Sequence, residues 1–176
     1  MADIRQRVDE DRGILKRIQE FVPGFRGYRR REDLRDADRM LRAQIADHLG
    51  SVRQGLERSR SLITGGWRSR ELELLGGVIS QFKKVEGKVA HAETGYSGFV
   101  ADIQVKEEEI HRLYDYDASM IDMIGRMRSI QGSIQASLAA GDGARAQQDI
   151  MEMRAIINEF ESQFDRRLRV ITGTEV

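Results

Sequence analysis

The sequence predicts an all-α fold, an antiparallel up-and-down bundle of four long helices preceded by a shorter amphipathic helix. Apolar residues recur at steps of three, four or seven along most of the chain, which is typical of helices that bury one face. Glycine-containing turns separate these periodic segments. No segment shows the sustained alternation of apolar and polar residues that indicates a strand. We therefore expect no sheet.

The first predicted element is an amphipathic helix over residues 3–21. Its apolar stripe comprises Ile4, Val8, Leu15, Ile18 and Val22. Pro23, the only proline in the chain, ends this helix because the residue before a proline is disfavoured in helical conformation. We expect residues 1–22 to dock on the bundle. Basic side chains on its polar face leave open a second interpretation, in which the helix lies on a membrane surface.

Four long helices are predicted over residues 28–63, 67–93, 104–140 and 144–171, within a single domain that spans 1–176. Stripe spacing close to 3.5 residues favours shallow, coiled-coil-like crossings. An intertwined dimer would show the same stripes, so the oligomeric state stays open. Asp142 follows Gly141 in the last turn and is a candidate N-cap for the final helix. The stripe of the second long helix comprises Leu72, Leu75, Ile79, Phe82, Val85 and Val89. The stripe of the fourth comprises Ala146, Ile150, Met153, Ile157, Phe160, Phe164, Leu168 and Ile171.

Two short motifs with the pattern Gly-aromatic-x-Gly-aromatic interrupt the helical sequence, at residues 24–28 and 95–99. Glycine permits turns that other residues avoid, and the aromatic side chains have large apolar surfaces to bury. Because the helices run out and back, both motifs arrive at one end of the bundle. We call this end, formed by residues 24–31 and 95–109, the near pole. Its aromatic residues are predicted to form one cluster of Phe25, Tyr28, Tyr96 and Phe99.

A group of arginines surrounds the start of the first long helix at the near pole, and Glu107, Glu108 and Glu109 open the third. One interpretation is that these charges pair across the bundle end. A second interpretation is an anion site made by arginines and helix N-termini. A third is a weak nucleic-acid patch, although no aromatic-basic binding motif is recognisable. The predicted binding residues are Arg26, Tyr28, Arg29, Arg30, Arg31, Tyr96 and Phe99.

Two carboxylates are predicted to be buried. Asp117 falls on the apolar stripe of the third long helix, and Asp38 lies one position off the stripe of the first. A carboxylate in a core must be paired or it is costly to bury. Arg35, Arg39 or Arg42 are the predicted partners of Asp117. The pair is either a structural bridge that fixes helix register or the wall of a polar pocket beneath the aromatic cluster.

The sequence carries few signs of catalysis. There are no cysteines, and no nucleotide-binding or hydrolase motif occurs, so no catalytic residue and no cofactor are predicted. Glu108 and His111 have the spacing used in di-metal bundles, but no second such pair accompanies them and no metal ligand is predicted. The numbers of basic and acidic residues are both 29, which does not favour nucleic acid as a partner. With no apolar run of about 18 residues, we expect a cytoplasmic protein.

Three stretches together resemble motifs of uncharacterised prokaryotic helical proteins. They are residues 22–28, the second glycine-aromatic motif at 95–99, and Arg112-Leu113-Tyr114-Asp115-Tyr116-Asp117. The resemblance covers mainly residues 22–43 and 95–117. The resemblance implies that the near pole is functionally important, and it implies no activity, cofactor or catalytic residue.

The resulting expectation is a non-enzymatic interaction or scaffolding protein that binds a protein partner or an anionic group at the near pole. Two alternatives stay open at this point. One is a membrane-surface or self-assembling protein that uses the N-terminal helix. The other is a metal-binding helical-bundle enzyme built around residues such as Glu108 and His111.

Overall fold

A computed structural model describes residues 4–28, 31–63, 69–92 and 107–172, and side chains over slightly narrower ranges. The chain is all-α, as the sequence predicts. Its helices are α1 (Ile4–Phe21), α2 (Arg31–Ser59), α3 (Ser69–His91), α4 (Glu107–Ala139) and α5 (Gly143–Thr172), and a 3-10 turn covers Arg60–Leu62. None of the described ranges contains a strand. The predicted helices agree with the observed ones to within a few residues at each end.

The turn between α4 and α5 shows why two long helices can be joined by so few residues. Gly141 has φ +75°, the left-handed conformation that ends many helices. The amide of Asp142 donates to the carbonyl of Ser137 at 2.9 Å, and that of Gly141 donates to Leu138 at 3.1 Å, which together form a Schellman motif. The Asp142 carboxylate then accepts a 3.0 Å hydrogen bond from the Arg145 amide. Asp142 is therefore the N-cap of α5, and this prediction is confirmed.

All five helices contribute to one cluster of buried apolar side chains. Helix α4 packs against α5, α2 and α1, and α3 packs against α2 and α5. The inner face of α1 carries Ile18, which is fully buried, together with Ile14 and Leu15. The amphipathic first helix therefore docks on α4, as predicted.

Among the stripe residues whose side chains the structure describes, three do not belong to the core cluster. Val8 in α1 is 44% exposed and Leu72 in α3 is 40% exposed. Leu72 lies in the first turn of α3, where Glu71 faces inward instead and accepts a 3.0 Å hydrogen bond from Gln147 of α5. In the last helix the stripe position assigned to Leu168 is only half-buried, and the neighbouring Arg167 is fully buried.

Candidate functional site

The segment from Gly24 to Tyr28 carries the only described part of the two glycine-aromatic motifs. Gly24 and Gly27 have φ values of +84° and +88°, so the pattern of two glycines meets a backbone requirement. These turns direct Phe25 and Tyr28 into the core, where each is 2% exposed and their ring centroids lie 5.3 Å apart, edge to face. Arg26, between them, is exposed. The segment is thus anchored on both sides of an outward-facing cation.

Tyr114 of α4 fixes the end of this segment. Its hydroxyl oxygen accepts a 3.2 Å hydrogen bond from the Tyr28 amide, and the two rings lie 5.2 Å apart between centroids. A Cβ atom added to Gly27 would approach the Tyr114 hydroxyl oxygen to 2.6 Å. The approach of backbone to side chain is therefore close enough to require glycine at position 27.

A buried charge network lies directly beneath the two tyrosines, and Arg167 of α5 is its centre. The guanidinium is fully buried and donates through Nε to Asp117 Oδ1 at 2.5 Å and through Nη1 to Asp38 Oδ1 at 2.6 Å. Its Nη2 donates to the Tyr28 hydroxyl oxygen at 2.9 Å. The Tyr28 hydroxyl in turn donates to Asp117 Oδ2. One cation therefore joins side chains from α2, α4, α5 and the Gly24–Tyr28 segment.

Arg42 extends the network to the end of α3. Its Nε donates to Asp38 Oδ2 at 2.9 Å, and its Nη1 donates to the carbonyl oxygens of Val89 and Ala92 at 3.2 and 2.8 Å. The last carbonyls of a helix lack partners within the helix, and a cation placed there satisfies them. With two carboxylates and two guanidiniums, the network balances its charges.

Burial sets the ionisation behaviour of this network. Burial and the Asp117 carboxylate raise the pKa of Tyr28 well above its ordinary value, so the phenol stays protonated and donates. Burial raises the pKa of Asp117, against the opposing effects of Arg167 and Tyr28. Burial would lower the pKa of Arg167, but the charges of Asp117 and Asp38 and the hydrogen bond to Asp38 outweigh it and raise the pKa well above the ordinary range.

The predicted partner of Asp117 was wrong. Arg35 and Arg39 are exposed on α2, Arg42 binds Asp38, and Arg167 pairs with Asp117 across 50 residues of sequence. The reason is geometric, because Asp117 faces α5. A signal for this was present, since Arg167 lies three residues after Phe164 and four before Ile171, on the apolar stripe itself.

The structure describes only part of the predicted binding set. Arg26 is exposed, whereas Tyr28 belongs to the interior. Asp38 and Asp117, predicted to be buried, are 2% and 0% exposed. Arg29, Arg30, Tyr96, Phe99 and the Arg31 side chain lie outside the described residues. The predicted meeting of Tyr28 with Tyr96 at the near pole therefore stays a prediction, and within the described ranges Tyr114 joins Phe25 and Tyr28.

His111 contacts an acid of α1 rather than a metal-ligand cluster. Its Nδ1 lies 2.7 Å from Asp11 Oδ2. Among the residues that the structure describes, no group of three or more His, Asp or Glu side chains could hold a metal ion. The Glu108–His111 pair therefore gains no further ligand there.

Surface clefts border the described residues at this end of the molecule. One of about 290 Å³ borders Gly24, Arg26, Asp36, Ala37 and Met40. Two more, of about 410 and 300 Å³, lie on the seam between α1 and α4 and share the Asp11–His111 contact. The described part of the near pole thus offers concave surface beside Arg26 and along the seam.

Comparison with models of protein families, with curated proteins and with solved structures gives no match. Among the helices in the described ranges, none is both long enough and apolar enough to cross a bilayer.

Proposed function

We propose that this protein is a non-enzymatic helical interaction or scaffolding protein that binds a partner protein or an anionic group at the near pole. The observation that carries the proposal is the exposed Arg26 beside the 290 Å³ cleft, on a segment held by the buried side chains of Phe25 and Tyr28. Binding through a segment that is already ordered avoids the entropy cost of ordering it.

The buried network supports this proposal by fixing the segment from below. Tyr28 is held through both its amide and its hydroxyl, by Tyr114 and by Arg167 with Asp117. Gln19 of α1 also donates a 3.0 Å hydrogen bond to the Phe25 carbonyl oxygen. Arg26 is thus presented from a rigid support, which favours recognition of a partner of fixed shape.

A photo-crosslinking amino acid placed at position 26 tests the proposal. In extracts of cells that express the protein, we expect a discrete crosslinked species from position 26. The matched control is position 39, because Arg39 is also exposed near the start of α2 and does not border the cleft. Identical products from both positions, or none from position 26, would count against a binding surface at Arg26.

The anionic group is tested separately. Inorganic phosphate is titrated while the amide chemical shifts are recorded. The amide signal of residue 26 should shift in the wild type and stay in place in Arg26→Gln. Arg39→Gln should respond as the wild type does. If phosphate has no effect while the crosslinked species from position 26 persists, the occupant is a protein rather than an isolated anion.

We further propose that α2–α5 form a four-helix bundle in the circular order α2, α3, α5, α4. Arg42 contacts Ala92, and Arg53 contacts Glu86. Because a later residue of α2 meets an earlier residue of α3, these contacts support an antiparallel arrangement of the two helices. Contacts of Asp117 with Arg167 and of Ser133 with Asp149 support the same for α4 and α5. Spin labels at positions 58 and 139 should then lie close together, whereas labels at 39 and 139 should be separated by roughly 30 Å more.

The packing of α1 gives no support to the membrane-surface alternative. A helix that binds a bilayer surface inserts its apolar face, and in this chain Ile18 and its neighbours pack against α4 instead. Flotation of the full chain with anionic liposomes should leave the protein in the lipid-free fraction. Recovery with the liposomes would mean that α1 detaches from α4.

A further inference from the structure

The C-terminal end of α1 meets α2 and α4 at a histidine. Phe21, the last residue of α1, lies against the ring of His48 on α2, with 4.3 Å between the ring centroids. From α4, Arg128 Nη2 contacts His48 Nδ1. His48 is half-buried in this position. Three helices are therefore in contact around one ionisable side chain.

The contact with Arg128 determines the protonation state of His48. A guanidinium carries donors and no acceptor, so His48 Nδ1 must accept the hydrogen bond through its lone pair. A protonated imidazole has no free lone pair, and its positive charge would repel Arg128. The observed arrangement therefore requires the neutral imidazole, with its proton on Nε2.

The surroundings of His48 favour this neutral form. Burial lowers the pKa of His48, Arg128 lowers it further, and Asp47 beside it on α2 raises it by less. Helix α1 presents the uncharged ring of Phe21. Because this arrangement holds a proton less tightly than a solvated imidazole does, its stabilisation is complete above the ordinary pKa of 6.5. The stabilisation is lost as the pH falls through the lower pKa of His48 in the packed state.

The contacts nearer the start of α1 respond differently to acid. His111 Nδ1 lies 2.7 Å from Asp11 Oδ2, and protonation of His111 completes an ion pair between α1 and α4. Arg17 and Asp122 form another ion pair between these helices, and it needs no histidine. Acid near pH 5 therefore weakens the attachment at the end of α1 and not at its start.

We propose that Phe21, His48 and Arg128 form a pH-sensitive joint, which holds the C-terminal end of α1 against α2 and α4 at neutral pH. Protonation of His48 breaks its contact with Arg128 and releases this end of the helix. The joint goes beyond the interaction surface proposed at Arg26, because its opening is a property of the chain and needs no partner.

Opening of the joint also affects the segment that follows α1. The amide of Val22 donates to the carbonyl oxygen of Ile18 at 2.7 Å, and Gln19 donates to the carbonyl oxygen of Phe25 at 3.0 Å. Release of the end of α1 therefore loosens the segment that carries Arg26. This regulatory consequence rests on the function proposed above, whereas the joint itself does not.

Amide hydrogen exchange of the full chain at pH 7.5 and pH 5 tests the joint. The readout is the protection factor, which corrects for the intrinsic pH dependence of exchange and reports local opening. We expect protection over residues 17–21 to fall at pH 5 by at least about threefold more than protection over residues 150–160. No excess loss over residues 17–21, or an equal loss over residues 9–13, would overturn the proposal.

Variants assign the effect to His48. His48→Gln can still accept a hydrogen bond from Arg128 and has no group that titrates, so the excess loss at pH 5 should disappear. His91→Gln is the matched control, because His91 is exposed at the end of α3, and it should behave as the wild type does. An excess loss that persists in His48→Gln contradicts the joint.

If His48→Gln is already less protected at pH 7.5, titration of the His48 imidazole signals decides. The midpoint should lie below 6.5 in the wild type and rise in Arg128→Gln, which removes the repelling charge. A wild-type midpoint at or above 6.5 would overturn the proposal. These measurements involve no partner, so they can fail while the crosslinked species from position 26 persists, and the reverse can also occur.

Discussion

Arg167 and Asp38 lie 129 positions apart in the sequence, yet Arg167 Nη1 donates a 2.6 Å hydrogen bond to Asp38 Oδ1 with both side chains inside the core. The same guanidinium reaches Asp117 through Nε and Tyr28 through Nη2. This contact ties the last helix to the start of α2. The position of the Gly24–Tyr28 segment, and with it the proposed surface at Arg26, therefore depends on a residue near the end of the described chain.

Arg167→Met should be strongly destabilising. It keeps an apolar chain of similar length but leaves the Asp117 carboxylate buried without its cation, which typically costs about 3–5 kcal/mol. We expect that loss in the free energy of unfolding measured with urea at pH 7. Arg166→Met is the control, because Arg166 is exposed and surface substitutions usually change stability by about 0.5 kcal/mol or less. Equal effects of the two substitutions would show that the network contributes little.

Tyr28→Phe isolates the hydroxyl within the network. It retains the ring packing against Phe25 and Tyr114 and removes one donor to Asp117 and one acceptor from Arg167. Loss of a hydrogen bond to a charged group costs about 1.5–3 kcal/mol. We expect a decrease of this size in urea unfolding. Tyr116→Phe serves as the comparison, because Tyr116 is only half-buried, and it should leave stability nearly unchanged.

Two glycine substitutions should change the stability of the protein in opposite directions. Gly27→Ala forces a Cβ into a left-handed backbone at φ +88° and to within 2.6 Å of the Tyr114 hydroxyl oxygen. The backbone conformation alone costs about 1–2 kcal/mol for a non-glycine residue. Gly13→Ala places its Cβ on α1 with no atom within 4 Å, and alanine favours a helix by about 1 kcal/mol over glycine.

Thermal unfolding followed by circular dichroism measures both glycine variants. We expect Gly27→Ala to lower the melting temperature and Gly13→Ala to raise it. A melting temperature of Gly27→Ala at or above that of the wild type would mean that the segment can turn without glycine at position 27.

Periodicity was sufficient to predict the helices and the burial of Asp117, because both depend on patterns that are local in sequence. It could not identify Arg167 as the partner, because that choice depends on which face of α4 meets α5. The same limit applies at the start of α3, where Leu72 fits the stripe but Glu71 faces the interior and bonds Gln147. Local spacing predicts which residues share a face, while helix packing decides what that face contacts.

The contact between α3 and α5 should make stability depend on pH in acid. Lys84 Nζ and Lys88 Nζ lie 2.9 and 3.1 Å from Glu161 Oε1. Partial burial would raise the pKa of Glu161, but the hydrogen bonds and charges of the two lysines outweigh burial and lower the pKa below its ordinary value of 4.5. Because the folded state holds this proton less tightly than the unfolded chain, the stabilisation is complete above about pH 4.5. It is lost as the pH falls through the lower pKa of the folded state.

Glu161→Gln should therefore cost about 0.5–1 kcal/mol of unfolding free energy at pH 7, a modest value because Lys84 is largely exposed. The difference between wild type and Glu161→Gln should shrink towards zero as urea unfolding is repeated from pH 5 down to pH 3. Glu159→Gln, at an exposed position two residues earlier, is the matched control and should leave the free energy of unfolding at pH 7 nearly unchanged. A difference for Glu161→Gln that stays constant over this range would show that the carboxylate stabilises α3 against α5 through packing rather than through its charge.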